Sequence, residues 1–174
     1  MRKILLLTSL LLLPVMVLAQ TERPPELAPY IHAAKPYGQG TLTKLWIHAY
    51  DAALWTDAKE WSMAVPFALT LHYGSDFSSD SLVSRSISEM HRSETLSKEQ
   101  IASYTEQLGK IFPDVREGDV ITALYLPKKG AIFFYNGKPS GSIKDNAFAT
   151  RFLSIWLSPE TSEPKLRQEL LGKS

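Results

Sequence analysis

Two hydrophobic periods divide this chain, and the order in which they come excludes most folds. Phe67, Leu69, Leu71 and Tyr73 alternate with Ala68, Thr70 and His72, the period-two pattern of a strand with unlike faces. Val83, Ile87 and Met90 recur at i, i+4 and i+7, the stripe of a helix. Strand-like segments gather at 41–55, 65–73 and 119–143, and helix-like ones at 79–112 and 145–172. Clusters of this kind, without strict alternation of the two types, argue against a parallel sheet with crossover helices. They predict an α+β domain, an antiparallel sheet with helices packed on one side.

Within that frame, Thr41 to Trp55 reads as one long strand, with Leu45, Ile47 and Ala49 on one face and Lys44, Trp46, His48 and Tyr50 on the other. A polar connection through Thr56–Lys59 leads to an antiparallel partner over Val65–Tyr73. Ser79 or Asp80 is positioned to cap the first helix. The second opens with a capping box, Ser97 with Gln100, flanked by Leu96 and Ile101 as a hydrophobic staple. Its stripe of Ile101, Tyr104, Leu108 and Ile111 stops before Pro113. Asp119–Leu126 and Ala131–Tyr135 are the next strands, and Asn136-Gly137 is a type I′ turn into a short strand around Gly141–Ile143. Asp145 or Asn146 caps a helix with Phe148, Phe152, Ile155 and Trp156 on its face. A last short helix from Ser162 carries Leu166, Leu170 and Leu171 and closes at Gly172.

The N-terminus has its own grammar. Arg2 and Lys3 precede an apolar run from Ile4 to Leu18, and Val17-Leu18-Ala19 offers the modest side chains of a cleavage site. The run is shorter than the ~20 residues of a membrane helix and contains Pro14, which favours a secretory signal peptide over 1–19 against an uncleaved anchor. A periplasmic or secreted location is therefore expected, with no membrane span after cleavage. Residues 20–37 carry Pro24, Pro25, Pro29 and Pro36 and read as an extended lead-in without core residues, ahead of a single domain over 38–174.

Composition removes several classes of function. The chain has no Cys, which excludes disulfides and thiol chemistry. With 19 Lys and Arg against 18 Asp and Glu, and no basic run longer than Lys128-Lys129 after the leader, it lacks the footprint of a nucleic-acid binder. No G-x-S-x-G, H-E-x-x-H, P-loop or dinucleotide motif is present. What remains is the polar stripe Lys44, Trp46, His48 and Tyr50, joined by His72 on the neighbouring strand. Aromatic walls, a cation and hydrogen-bonding tips would suit a small amphipathic anion, although the same stripe also fits a half-exposed face under a helix. His48 and His72 lack a third ligand at metal spacing, so no metal and no cofactor are expected. By alternation Asp51 falls on the aliphatic face, and a bulge or strand end at Ala52-Ala53 is expected to turn it outward as a structural acid. Glu89 reads as a solvated carboxylate, away from the buried stripe of its helix.

Six strings in order, "YDAALW" (50–55), "FALTLHY" (67–73), "SRSISEM" (84–90), "IFPDVREGD" (111–119), "FFYNGKPSGSI" (133–143) and "FATRFLSIWLSPETSEPKLRQELLG" (148–172), resemble the exported bacterial branch of the chalcone isomerase-like proteins. The resemblance runs from about Gly38 to Gly172 and implies an open-faced β-sandwich, a large antiparallel sheet backed by helices with a ligand cleft between. The family's enzymes cyclise chalcones without a cofactor, using a guanidinium near an early strand with Thr and Tyr hydroxyls, and a related branch binds fatty acids without catalysis. Here no Arg lies between Arg23 and Arg85, the stretch Gly38–Lys44 offers only Lys44, and His48 stands where the enzymes carry Thr. A Lys cannot reproduce the planar fork of Arg. The resemblance therefore implies a non-catalytic protein holding a small apolar or amphipathic ligand such as a fatty acid. The alternatives are a cofactor-independent isomerase using Lys44, His48 and Tyr50, and an envelope module that binds proteins.

Overall fold

The computed structural model describes residues 22–173, so the leader expected over 1–19 lies outside them. Six strands, β1 (Gly38–Lys44), β2 (Ile47–Trp55), β3 (Phe67–Tyr73), β4 (Val120–Leu126), β5 (Gly130–Tyr135) and β6 (Lys138–Ile143), pair in sequential order, every pair antiparallel. Helices α1 (Ser79–Ser93) and α2 (Lys98–Ile111) fill the connection from β3 to β4, and α3 (Asn146–Leu157) and α4 (Pro164–Leu170) follow β6. The clustered periodicities thus describe an open antiparallel sheet with its helices on one side.

Register explains the burial. Tyr50, Ala52 and Leu54 of β2 pair with Tyr73, Leu71 and Leu69 of β3, and the last two pair with Ile121 and Ala123 of β4. These residues share the helix-side core with Val83, Ile87 and Met90 of α1, Tyr104, Leu108 and Ile111 of α2, and Phe148, Phe152 and Trp156 of α3. Caps stand within a residue of their expected places. Ser78, one residue earlier than read, caps α1, and the Ser97–Gln100 box and Asp145 cap α2 and α3.

The long first strand is the main correction. It is two strands joined by a two-residue turn in which Leu45 (φ 47) and Trp46 (φ 70) both adopt left-handed backbone. Hairpin turns of this kind usually take Asn-Gly, so nothing in the composition of 45–46 announces one. Farther along, Leu42 pairs with Tyr50 but Thr43 pairs with His48, which leaves Ala49 as the extra residue of a bulge. The alternation breaks there, three residues before the expected place at Ala52-Ala53, and Asp51 turns to the exposed face.

The lead-in also differs from expectation. Pro25–Leu27 forms a single 3-10 turn, and Leu27 and Ile31 are buried with Ala53, Trp55, Ala68, Leu124 and Phe134 on the sheet face away from the helices. Few apolar residues are needed because the patch is small. The segment is tied down by polar contacts: Asp57 Oδ1 accepts the His32 and Ala33 amides at 2.8 and 2.7 Å, and Thr122 donates to Glu26 at 2.8 Å. At the other edge α4 lies directly on β1. A Cβ on Gly38 would stand 2.3 Å from the backbone oxygens of Glu169 and Leu170, so the close approach requires glycine.

Candidate functional site

Between sheet and helices is a cavity of about 640 Å³. Its floor comes from the sheet, with Leu69, Leu71, Ile121 and Ala123, and its roof includes Phe112, Phe152 and Trp156. The volume falls within the few hundred to ~1,000 Å³ usual for small-molecule sites. Two tyrosines stand along one wall. Tyr50 packs edge-on against Tyr73, centroids 6.0 Å apart, and Tyr73 packs against Phe77 at 5.9 Å. Tyr50 accepts a hydrogen bond from Trp156 Nε1 at 2.9 Å, which links β2 to α3 across the cavity.

Both phenols are held neutral. Burial pushes Tyr50 up to about 12, only partly offset by the Trp156 hydrogen bond, and burial raises Tyr73 further. Neither is a proton acceptor near neutral pH. They are fixed hydrogen-bonding groups in an apolar wall.

Charge gathers at the rim. Lys44 Nζ lies 2.7 Å from Glu163 Oε1, and Arg85 Nη2 lies 2.8 Å from Glu89 Oε1. Glu89, with a side chain only 7% exposed, also takes Arg92 Nε at 2.9 Å. Burial alone would raise its carboxyl, but hydrogen bonds from Arg92 and Ser162 and the charges of Arg85 and Arg92 outweigh it and hold Glu89 below the usual carboxylate range. The expected solvated carboxylate is therefore a buried, bridged one. Arg85 is 65% exposed and keeps most of its guanidinium toward solvent at the cavity mouth. Its position follows from helical spacing: Leu82, Arg85, Ser86 and Glu89 fall at i, i+3, i+4 and i+7, and all four line the cavity. That second stripe, mixed in polarity, was the signal available in the sequence. It lies on α1 and not on the early strands, where the resemblance placed the guanidinium.

The five expected binding residues do not form one site. Lys44 and Tyr50 line the cavity. Trp46 stands at the β1–β2 turn, in solvent. His48 and His72 are on the opposite sheet face: the bulge at Ala49 takes His48 off the face of Tyr50, while His72 keeps the alternation of β3 and stands beside Asp51, not Tyr50. There His48 Nε2 lies 3.2 Å from Asp51 Oδ1, and Asp51 is the cross-strand partner of His72. Asp51 accepts from Thr41 Oγ1 at 2.5 Å, a side-chain pairing across the β1–β2 ladder. This face carries a wider depression, about 1250 Å³, lined by polar groups such as Thr41, Asp51, Thr70 and His72. Its more apolar walls make the helix-side cavity the better ligand site, although the depression is larger. Among the described residues no group of three His, Cys, Asp or Glu side chains gathers to hold a metal ion. Nor is any described helix long and apolar enough to cross a membrane.

Comparison with known proteins agrees with this architecture. An uncharacterized protein of Haemophilus influenzae is 26% identical over 148 residues, covering 84% of this chain and 72% of its own. Among solved structures, an Arabidopsis thaliana fatty-acid binding protein superposes with a TM-score of 0.59 at 11% identity, covering 79% of this chain and 86% of that one. At that identity the likeness is one of fold. The family described as chalcone isomerase-like matches residues 35–172, nearly the whole of the described sheet and helices, and the chain belongs to it.

Proposed function

We propose that this chain is an exported, non-catalytic binding protein for a small amphipathic ligand of the fatty-acid class. One observation carries the reading: a largely apolar cleft of about 640 Å³ between sheet and helices has Lys44 and Arg85 among its lining residues. An alkyl chain would gain from leaving water along Leu69, Leu71, Ala123 and Phe152, and a carboxylate at the mouth would meet the outward guanidinium of Arg85. The fatty-acid binding protein that shares the fold supports the ligand class. The isomerase alternative would use Lys44, His48 and Tyr50, but His48 is not among the lining residues and Tyr50 is held neutral with its value near 12. The lining carboxylates Glu89 and Glu163 are engaged by Arg85 and Lys44.

A sixteen-carbon fatty acid is expected to bind saturably, one per chain, in a fluorescence displacement assay. Arg85→Ala should weaken it by about tenfold, the value of one charge-assisted hydrogen bond. Ala123→Phe should abolish it by filling the floor. Failure of the wild-type protein to take up any fatty acid would overturn the ligand class. Loss of a chalcone's long-wavelength absorbance on mixing would overturn the non-catalytic reading. Export rests on the pattern of residues 1–19, and the protein recovered from cells should begin at Gln20.

A further inference from the structure

The β1–β2 turn places three apolar side chains where water reaches them: Leu45 is 89% exposed, Trp46 99% and Ile47 54%. Large apolar residues at such a turn are unfavourable twice over. Leu45 and Trp46 hold left-handed backbone that Asn or Gly adopts with less strain, and their side chains leave the core for solvent. Two further observations say what covers them. Leu45 and Ile47 also line the mouth of the apolar cavity, so the tip and the cavity form one continuous apolar surface. The charges beside the mouth are already paired, Lys44 with Glu163 at 2.7 Å and Arg85 with Glu89 at 2.8 Å.

We infer that the Leu45–Ile47 tip inserts into the interface of a lipid bilayer and seats the cavity mouth against it. A tip of three residues is far too small for the ~800 Å² per partner that a stable protein interface buries. It is the right size to sink a few side chains into the headgroup boundary, where the amphipathic ring of Trp is favoured. Because Lys44 and Arg85 each already face a carboxylate, attraction comes mainly from apolar insertion, with anionic lipid adding little. The docking stands apart from what the cavity holds, and only transfer of a ligand through the mouth rests on the binding function proposed above.

The test is flotation of the mature chain beginning at Gln20, free of the apolar leader, with vesicles of phosphatidylcholine alone and of phosphatidylcholine with phosphatidylglycerol. Wild-type protein should float with both, equally at low and high salt, with its tryptophan emission moving to shorter wavelength. Leu45→Asn with Trp46→Gly keeps the turn, since Asn-Gly is its favoured sequence, and should lower vesicle partitioning by at least about tenfold. Trp46→Phe should retain most of it. A thermal melt showing the double variant folded makes that loss interpretable, and Trp46→Ser serves if the double variant is unfolded. Three results would overturn the inference: wild-type protein that stays soluble, binding confined to anionic vesicles and removed by salt, or a lipid-free dimer that depends on Trp46. Fatty-acid uptake measured without vesicles tests the binding reading separately, and its failure would leave the docking result standing.

Discussion

Asp51 carries a charge in a run, Ala49–Trp55, that is otherwise largely buried, and its surroundings decide its role. It stands on the exposed sheet face, accepts from Thr41 across the β1–β2 ladder at 2.5 Å, and has His48 3.2 Å away. None of these partners lines the cavity. Asp51→Ala should therefore lower stability by about 0.5–1 kcal/mol, the range of an exposed cross-strand pair. Ligand affinity per folded molecule should stay unchanged, as read by urea midpoints alongside titration. Loss of binding at full stability would mean that the two sheet faces communicate. His48 and His72, read from the sequence as belonging with Tyr50, stand on this same polar face.

Among the elements, the β1 edge shows both what packing demands and where the sequence is mute. Gly38→Ala would drive a methyl against the Glu169 and Leu170 carbonyl oxygens, so α4 must lift from the sheet. A cost of about 1–3 kcal/mol is expected from overpacking, with hydrogen exchange rising first in α4. Strands β3 to β6 and helices α1 to α4 were legible because each has a clear period, a cap or an Asn-Gly turn. The β1–β2 turn was not, since Leu45-Trp46 continues an alternating apolar pattern through the point where the chain reverses. The single bulge at Ala49 was enough to assign His48 to the wrong face. Arg85 and Glu89 were hidden differently: their stripe on α1 is mixed in polarity, and only the fold shows that it faces a cavity. Leu27 and Ile31 were missed because two apolar residues among prolines do not look like core until a sheet face is there to receive them.

On the scale of the whole molecule, the paired carboxylates and buried phenols set the range of pH over which the fold is stable. Glu89, Asp57, Glu94 and Asp119 are all held below the usual carboxylate range by hydrogen bonds and neighbouring cations. A depressed folded-state value contributes stability above the unfolded value, near 4, and loses it as pH falls through the folded one. Acid should therefore unfold the chain progressively below about pH 4. Glu89→Gln should flatten that limb while lowering stability at neutral pH, because Arg85 and Arg92 lose their shared partner. The alkaline limb has the opposite origin. Tyr50 is raised, mainly by burial, from 10 to about 12, so its contribution is intact below pH 10 and is lost as pH rises to about 12. A shift of that size corresponds to roughly 2–3 kcal/mol. Tyr50→Phe removes the ionisable group and should leave a shallower alkaline limb. It also costs about 1 kcal/mol at neutral pH, where Trp156 Nε1 loses its acceptor. Urea unfolding across the pH range checks both limbs at once. An alkaline limb unaltered by Tyr50→Phe would mean that Tyr50 ionises as freely in the folded protein as in water, and that the cavity wall is wet.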